Sequence, residues 1–181
     1  MPPKRKHMQS DYFEIARDSV GDEYIICGDE VLIVPLTDDG RVVLIREPAP
    51  ALGREEPLLL PGGSVEEGEE LAETANRELQ EEIGFRAERL EPLVTLRPWS
   101  KYLRVDSHVF LARNLQPSRL DGDESYTISL APRPLAELDS LIACGAINDA
   151  RVIAALLLAR QQYAAERKPR RKPRHSRQPA E

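Results

Sequence analysis

The chain has 181 residues, 31 acidic against 25 basic, with a net charge of −6 and two cysteines. One domain of this length buries a core without disulfide staples, and Cys27 and Cys144 show no CxxC spacing, which argues against a disulfide framework and against a zinc site. Residues 1–10 hold three basic residues and no acid, and residues 164–181 hold seven basic against two acidic, so the acid lies in the body; such a body argues against broad nucleic-acid binding by the fold and suits one that gathers divalent cations.

Residues 1–20 read as a flexible basic lead-in with one weak amphipathic stretch. No apolar run follows Lys4-Arg5-Lys6, so no secretory leader is expected. The longest apolar run, Val152 to Ala159, is far short of the ~20 residues that cross a bilayer, so the expectation is a cytoplasmic protein without a membrane partner. Tyr24-Ile25-Ile26-Cys27 and Val31-Leu32-Ile33-Val34 are β-branched runs that read as strands. Asp38-Asp39-Gly40 is a tight-turn signal before Val42-Val43-Leu44-Ile45, which predicts a hairpin joining 31–36 to 41–46.

Pro48 to Pro57 reads as loop, and Leu58-Leu59-Leu60 as a short buried strand ending at Pro61-Gly62-Gly63. A helix is predicted from about Glu69 to Ile83, capped by Gly84, with Leu71, Ala75 and Leu79 as its buried stripe. Strands follow at 92–97 and 105–112, then a polar loop from Asn114 to about Tyr126, and helices near 135–143 and 149–163. The folded domain is expected over 21–166. Residues 167–181 form a Pro-, Lys- and Arg-rich tail, read as disordered; a solubilising end accounts for it better than contact with nucleic acid. Strands, a central helix, more strands and terminal helices together imply an α/β fold, a mixed sheet packed between helices.

The segment from Gly63 to Phe85 carries the chemistry. Glu78, Glu81 and Glu82 stand at i, i+3 and i+4, on one face of a helix, where like charges repel by a few tenths of a kcal/mol per exposed pair. A divalent cation turns that repulsion into attraction, and carboxylate-plus-water coordination is what Mg²⁺ and Mn²⁺ prefer. The Pro61-Gly62-Gly63 turn lets main-chain groups approach a ligand and can offer a carbonyl. Glu66, Glu67, Glu70 and Glu73 have a blander explanation, a solvated helix start that complements the helix dipole.

Gly63, Glu69, Arg77, Glu78, Leu79, Glu81, Glu82 and Gly84, with Phe85 at the closing apolar position, resemble the signature of the Nudix hydrolases. The resemblance implies a Nudix α/β/α sandwich. It implies that Glu78, Glu81 and Glu82, with the Gly62 carbonyl, bind Mg²⁺ or Mn²⁺. Arg77 would orient the motif's carboxylates, including Glu69, rather than hold phosphate. Outside the motif, Leu44-Ile45-Arg46-Glu47, Leu120-Asp121-Gly122-Asp123-Glu124 and Asn148-Asp149-Ala150-Arg151 resemble the ADP-ribose pyrophosphatase branch. That likeness implies a nucleotide-containing small-molecule substrate with an ADP moiety, a homodimer, Arg46 as a substrate ligand and Glu124 as general base or its helper. Trp99 and Tyr102 are candidates to stack on adenine, while mid-strand His108 reads as structural. Two other functions compete: hydrolysis of nucleoside triphosphates or capped RNA, and a catalytically dead nucleotide sensor, against which the intact Arg-Glu-x-x-Glu-Glu core argues.

Overall fold

The computed structural model describes residues 13–49, 52, 56–122 and 126–167. The described residues form ten strands in three sheets. β3 (Glu30–Pro35), β6 (Gly62–Ser64), β7 (Phe85–Leu96) and β9 (Ser107–Pro117) form a mixed sheet in the order β6-β3-β9-β7, with β3 and β9 parallel and the outer pairs antiparallel. β4 (Arg41–Arg46), β5 (Leu58–Leu59) and β10 (Ser129–Pro134) form an antiparallel sheet in the order β10-β4-β5. β1 (Phe13–Arg17), β2 (Glu23–Cys27) and β8 (Leu103–Arg104) form a small third sheet.

The unbroken apolar run in β3 reflects burial on both faces. Leu32 and Val34 join one core with Val109, Leu111, Leu44 and α3 (Ala150–Glu166). Val31 and Ile33 join the other with Phe110, Val43, Ile45 and α1 (Leu71–Glu78). The α/β/α sandwich is thus built from strands whose successive side chains serve opposite layers. The short α2 (Leu138–Ala143) adds Leu138 to the α3 side. Asp149 caps α3 by accepting from Arg151 N at 2.7 Å and Val152 N at 3.2 Å. Burial alone would push the Asp149 carboxyl up, but its bonds from Arg151 outweigh that and hold it below the ordinary range. Arg151 also reaches Glu30 at 2.5 Å, tying α3 to the start of β3.

The structure corrects several sequence expectations. The 31–36/41–46 hairpin is not formed: one bridge, Leu36↔Val42, joins the arms, and β3 and β4 then enter different sheets. The turn itself is present, with Gly40 N donating to Thr37 O and Arg41 N to Thr37 Oγ1. β3 takes β6 and β9 as its edge partners instead, and β4 takes β5 and β10. Residues 13–17, assigned to the flexible lead-in, pair with β2 as β1. β9 continues to Pro117, into the expected loop, and β10 lies between that loop and the helix expected at 135–143, where the sequence predicts no element; its Pro132 and Pro134 are tolerated because β10 is an edge strand, paired only with β4 among the described residues. Among the described residues, no helix is long and apolar enough to cross a membrane. All but the first residue of the basic tail, Arg167, lies outside the described residues.

Candidate active site

The first wall of the site is the sheet edge at β6. Gly62 lies so close to β3 that a Cβ there would meet the Val31 carbonyl oxygen at 2.2 Å. At Gly63 a Cβ would sit 2.2 Å from Glu78 Oε1, so the carboxylate occupies the space a side chain would take. Both glycines are required by close approach rather than by φ.

The second wall is the helix. It begins at Leu71, later than the sequence suggests, because Glu69 turns back towards Arg77 instead of extending the first turn. Ala75 and Leu79 are fully buried and Leu71 partly, as the four-residue stripe requires. After Glu78 the α-helix widens into a π-helical turn, Leu79–Ile83, which carries Glu81 and Glu82. Gly84 closes it in the left-handed region, at φ 73°, with its N–H reaching back to Leu79 O. A π turn inside a helix is uncommon and is found frequently at functional sites.

Glu78 and Glu82 are 5% and 6% exposed, deep burial for carboxylates. Glu82 Oε2 accepts from Gly62 N at 2.9 Å, which locks the π turn to β6. Arg77 gathers the remaining charge. It binds Glu69 through Nε at 3.1 Å and Nη2 at 3.3 Å, and its Nη1 lies 2.9 Å from Glu78 and 3.0 Å from Glu81. These partners, with Glu69 first, raise the Arg77 pKa against the effect of burial, so the guanidinium stays charged. The hydrogen bond from Arg77, opposed by burial and aided by Thr74 Oγ1 and Glu66 N, lowers Glu69 from 4.5 to about 2.

That depression fixes the sign of a pH effect. A carboxylate stronger in the folded state contributes stability above its unfolded pKa, near 4.5, and loses it as pH falls towards about 2. Denaturation midpoints taken between about pH 6 and pH 2.5 should therefore fall more steeply for the native chain than for Glu69→Gln. Parallel curves would show that the pair contributes nothing to stability.

The acids suit a hard cation, since every donor here is oxygen. Among the described residues, no three acidic, His or Cys side chains already converge tightly enough to hold an ion alone. Mg²⁺ binds through one or two carboxylates and completes its shell with water and substrate phosphate. The buried Glu78 and Glu82, beside a glycine edge that leaves the Gly62 main chain approachable, form that kind of partial set.

Glu81 and Glu82 line a cavity of about 250 Å³ together with Arg119, Gly122 and Tyr126. The stretch after β9 is docked onto the helix end: Ser118 N donates to Gly84 O at 3.0 Å and Leu120 N to Gln80 O at 3.2 Å. Ser118 Oγ also donates to Gln80 Oε1 at 2.8 Å. Arg46, at the end of β4, pairs in register with Ser129 and donates to Glu56 O at 2.8 Å; it stands next to the cavity rather than in its lining. Tyr126 Oη donates to Glu47 Oε2 at 3.1 Å.

Trp99 and Tyr102 are not in this lining. They pack edge-to-face at 4.9 Å, both exposed, beside the small third sheet, where Tyr102 O accepts from Ile25 N. His108 lies on β9 beside Thr95, also outside the cavity. Glu124 falls outside the described residues. Sequence reading did not single out Arg119 or Tyr126, and no local spacing marks them.

The chain matches the family model described as NUDIX domain over residues 28–156. It is 37% identical over 133 residues to the ADP compounds hydrolase NudE of Escherichia coli K12, covering 74% of this chain and 70% of that protein. It is 27% identical over 128 residues to the ADP-ribose pyrophosphatase of Bacillus subtilis 168, covering 70% and 69%. A crystal structure of an ADP compounds hydrolase superposes with a TM-score of 0.75 at 30% identity, covering 91% of this chain and 94% of the other.

Proposed function

Because this chain belongs to the Nudix family, we propose that it is a pyrophosphohydrolase cleaving ADP-linked compounds such as ADP-ribose, diadenosine polyphosphates and NADH to AMP and a second phosphorylated product. The observation that carries this reading is the pair of buried carboxylates, Glu78 and Glu82, set against the Gly62-Gly63 edge beside an open cavity. The relatives named for ADP compounds and ADP-ribose support the substrate class.

Glu78, Glu81 and Glu82 with the Gly62 carbonyl would hold Mg²⁺ or Mn²⁺, which stabilises charge on the phosphoryl oxygens and makes bound water more acidic. The chain's own residues set the stage for that chemistry. Arg77 holds Glu78 and Glu81 in place while its charge is spent on Glu69, so it positions the acids and leaves the phosphates to other groups. The Gly62 N–H fixes one oxygen of Glu82. Glu124 lies in sequence between Gly122 and Tyr126, both in the cavity lining, and is the proposed base. Water attacks phosphorus, the bridging P–O bond breaks, the water's proton passes to Glu124, and the bridging oxygen leaves on the second phosphate. Arg46, beside the cavity, and the Trp99–Tyr102 pair remain proposed substrate contacts. A homodimer assembled on the small sheet, where Phe13, Ile15 and Ile25 are exposed, would offer the pair to a nucleotide in the partner's cavity.

Chromatography of products from ADP-ribose, diadenosine triphosphate, NADH, GDP-mannose and ATP tests the reading. AMP and ribose 5-phosphate should appear from ADP-ribose with Mg²⁺, vanish with EDTA and return with Mn²⁺, and light scattering should give twice the chain mass. Release of pyrophosphate from ATP with ADP-ribose untouched would replace this assignment with triphosphate hydrolysis. Full turnover in chelator would remove the metal from the mechanism.

A further inference from the structure

The cavity beside the metal-binding face has a charge problem. Its lining includes Glu81 and Glu82, yet a pyrophosphate brings roughly two negative charges of its own. A cation bound to the acids answers one side of that anion. The phosphate oxygens that cation does not reach call for a positive group from the protein.

The two arginines that sequence reading placed at the site are engaged elsewhere. Arg77 is taken up by Glu69, Glu78 and Glu81. Arg46 donates to the Glu56 carbonyl and lies outside the lining. Among the described residues that line the cavity, Arg119 is the sole cation. Its guanidinium makes no hydrogen bond or ion pair with any of the described residues; Nη1 instead lies over Gly84, 3.4 Å from where a Cβ would be.

Arg119 is also well placed by its backbone. The residues on either side of it, Ser118 and Leu120, donate their N–H groups to Gly84 O and Gln80 O, carbonyls at the end of the π turn. Those carbonyls have no helical partners, so the docking satisfies them while fixing the arginine's Cα relative to Glu81 and Glu82. A side chain held at its root, exposed, and unpaired beside a carboxylate-lined cavity is poised for an incoming anion. The guanidinium's planar fork matches two phosphate oxygens at once.

Building on the pyrophosphatase reading above, we infer that Arg119 is a substrate-binding residue that grips the pyrophosphate in the cavity that Glu81 and Glu82 also line. It binds the ground state and the transition state alike, so its loss weakens KM more than kcat. A charge-assisted contact of this kind corresponds to about tenfold or more in affinity. A lysine keeps the charge but not the fork and should recover part of the loss.

The test compares the full-length chain with Arg119→Ala and Arg119→Lys in two measurements. In steady-state hydrolysis of ADP-ribose, Arg119→Ala should raise KM about tenfold or more while kcat stays within about threefold, with Arg119→Lys in between. In calorimetric titration without turnover, Arg119→Ala should weaken ADP by a similar factor and leave adenosine unchanged. Unchanged ADP binding, or equal weakening of ADP and adenosine, would overturn the assignment. If the native chain does not hydrolyse ADP-ribose, the substrate reading fails, and the contrast between ADP and adenosine still decides the role of Arg119.

Discussion

Glu82→Gln should cost about a hundredfold or more in turnover while the chain folds as before. Glu82 is buried, and the amide oxygen of a glutamine can still accept the Gly62 N–H, so the lock between the π turn and β6 survives. What disappears is one negative charge from the oxygen set facing the cavity, and with it much of the affinity for a divalent cation. Since a buried charge is costly to keep and Glu78 and Glu81 lie on the same segment, the metal-free variant should melt at the same temperature or slightly higher. Glu73→Gln is the matched control. It lies on the same helix but is exposed, and its turnover should be near normal. Kinetics with saturating Mg²⁺ and thermal melts in EDTA read both quantities. Near-normal turnover in Glu82→Gln, or an equal loss in Glu73→Gln, would remove Glu82 from the metal site.

Neighbouring glycines should fail in different ways. At Gly63 a methyl group meets the carboxylate of Glu78, the far end of a side chain that can rotate. Gly63→Ala should therefore fold, displace Glu78 and lose about tenfold or more in turnover, because a misplacement of about 1 Å at a catalytic group can cost that much. At Gly62 the methyl group meets the Val31 carbonyl oxygen in the neighbouring strand, and neither backbone can yield without parting β3 from β6. Gly62→Ala should lose stability, by about 1–3 kcal/mol or more. For a domain of this size each kcal/mol lowers the melting temperature by about 2–4 °C. Equal stability losses in the two variants would mean that Glu78 is as rigidly held as backbone.

The motif helix was the most legible part of the chain, for physical reasons. Ala75 and Leu79 repeat at a helical period, Gly84 supplies a residue that accepts the left-handed region, and the acids share one short segment, so all the information is local. The π turn was not legible, because its apolar residues, Leu79 and Ile83, stand four apart, a spacing that an α-helix accommodates equally well. Arg119 was hidden for another reason. Its place depends on bonds between residues 118–120 and 80–84, and no sequence interval records that docking. β10 was obscured by Pro132 and Pro134, which argue against a strand unless it is known to be an edge. The hairpin at 37–40 failed where local and distant preferences disagree: the turn chemistry was read correctly, but it says nothing about which partners the arms take.

A true hairpin over residues 30–46 could close within microseconds of leaving the ribosome. With its arms parted, β3 meets β6 and β4 meets β5 over only two or three residues each, and the longer edge of β3 must wait for β9, whose Ser107 meets Glu30 from 77 residues further on, as that of β4 must wait for β10, where Pro132 accepts from Arg41 across 91 residues. The most apolar strands of the protein are thus made early and covered late. Contacts of such long range slow folding and leave unpaired strand edges exposed while the rest of the chain is synthesised. The two-sided burial that makes the finished sandwich secure is the same property that leaves its nascent half in need of protection from aggregation.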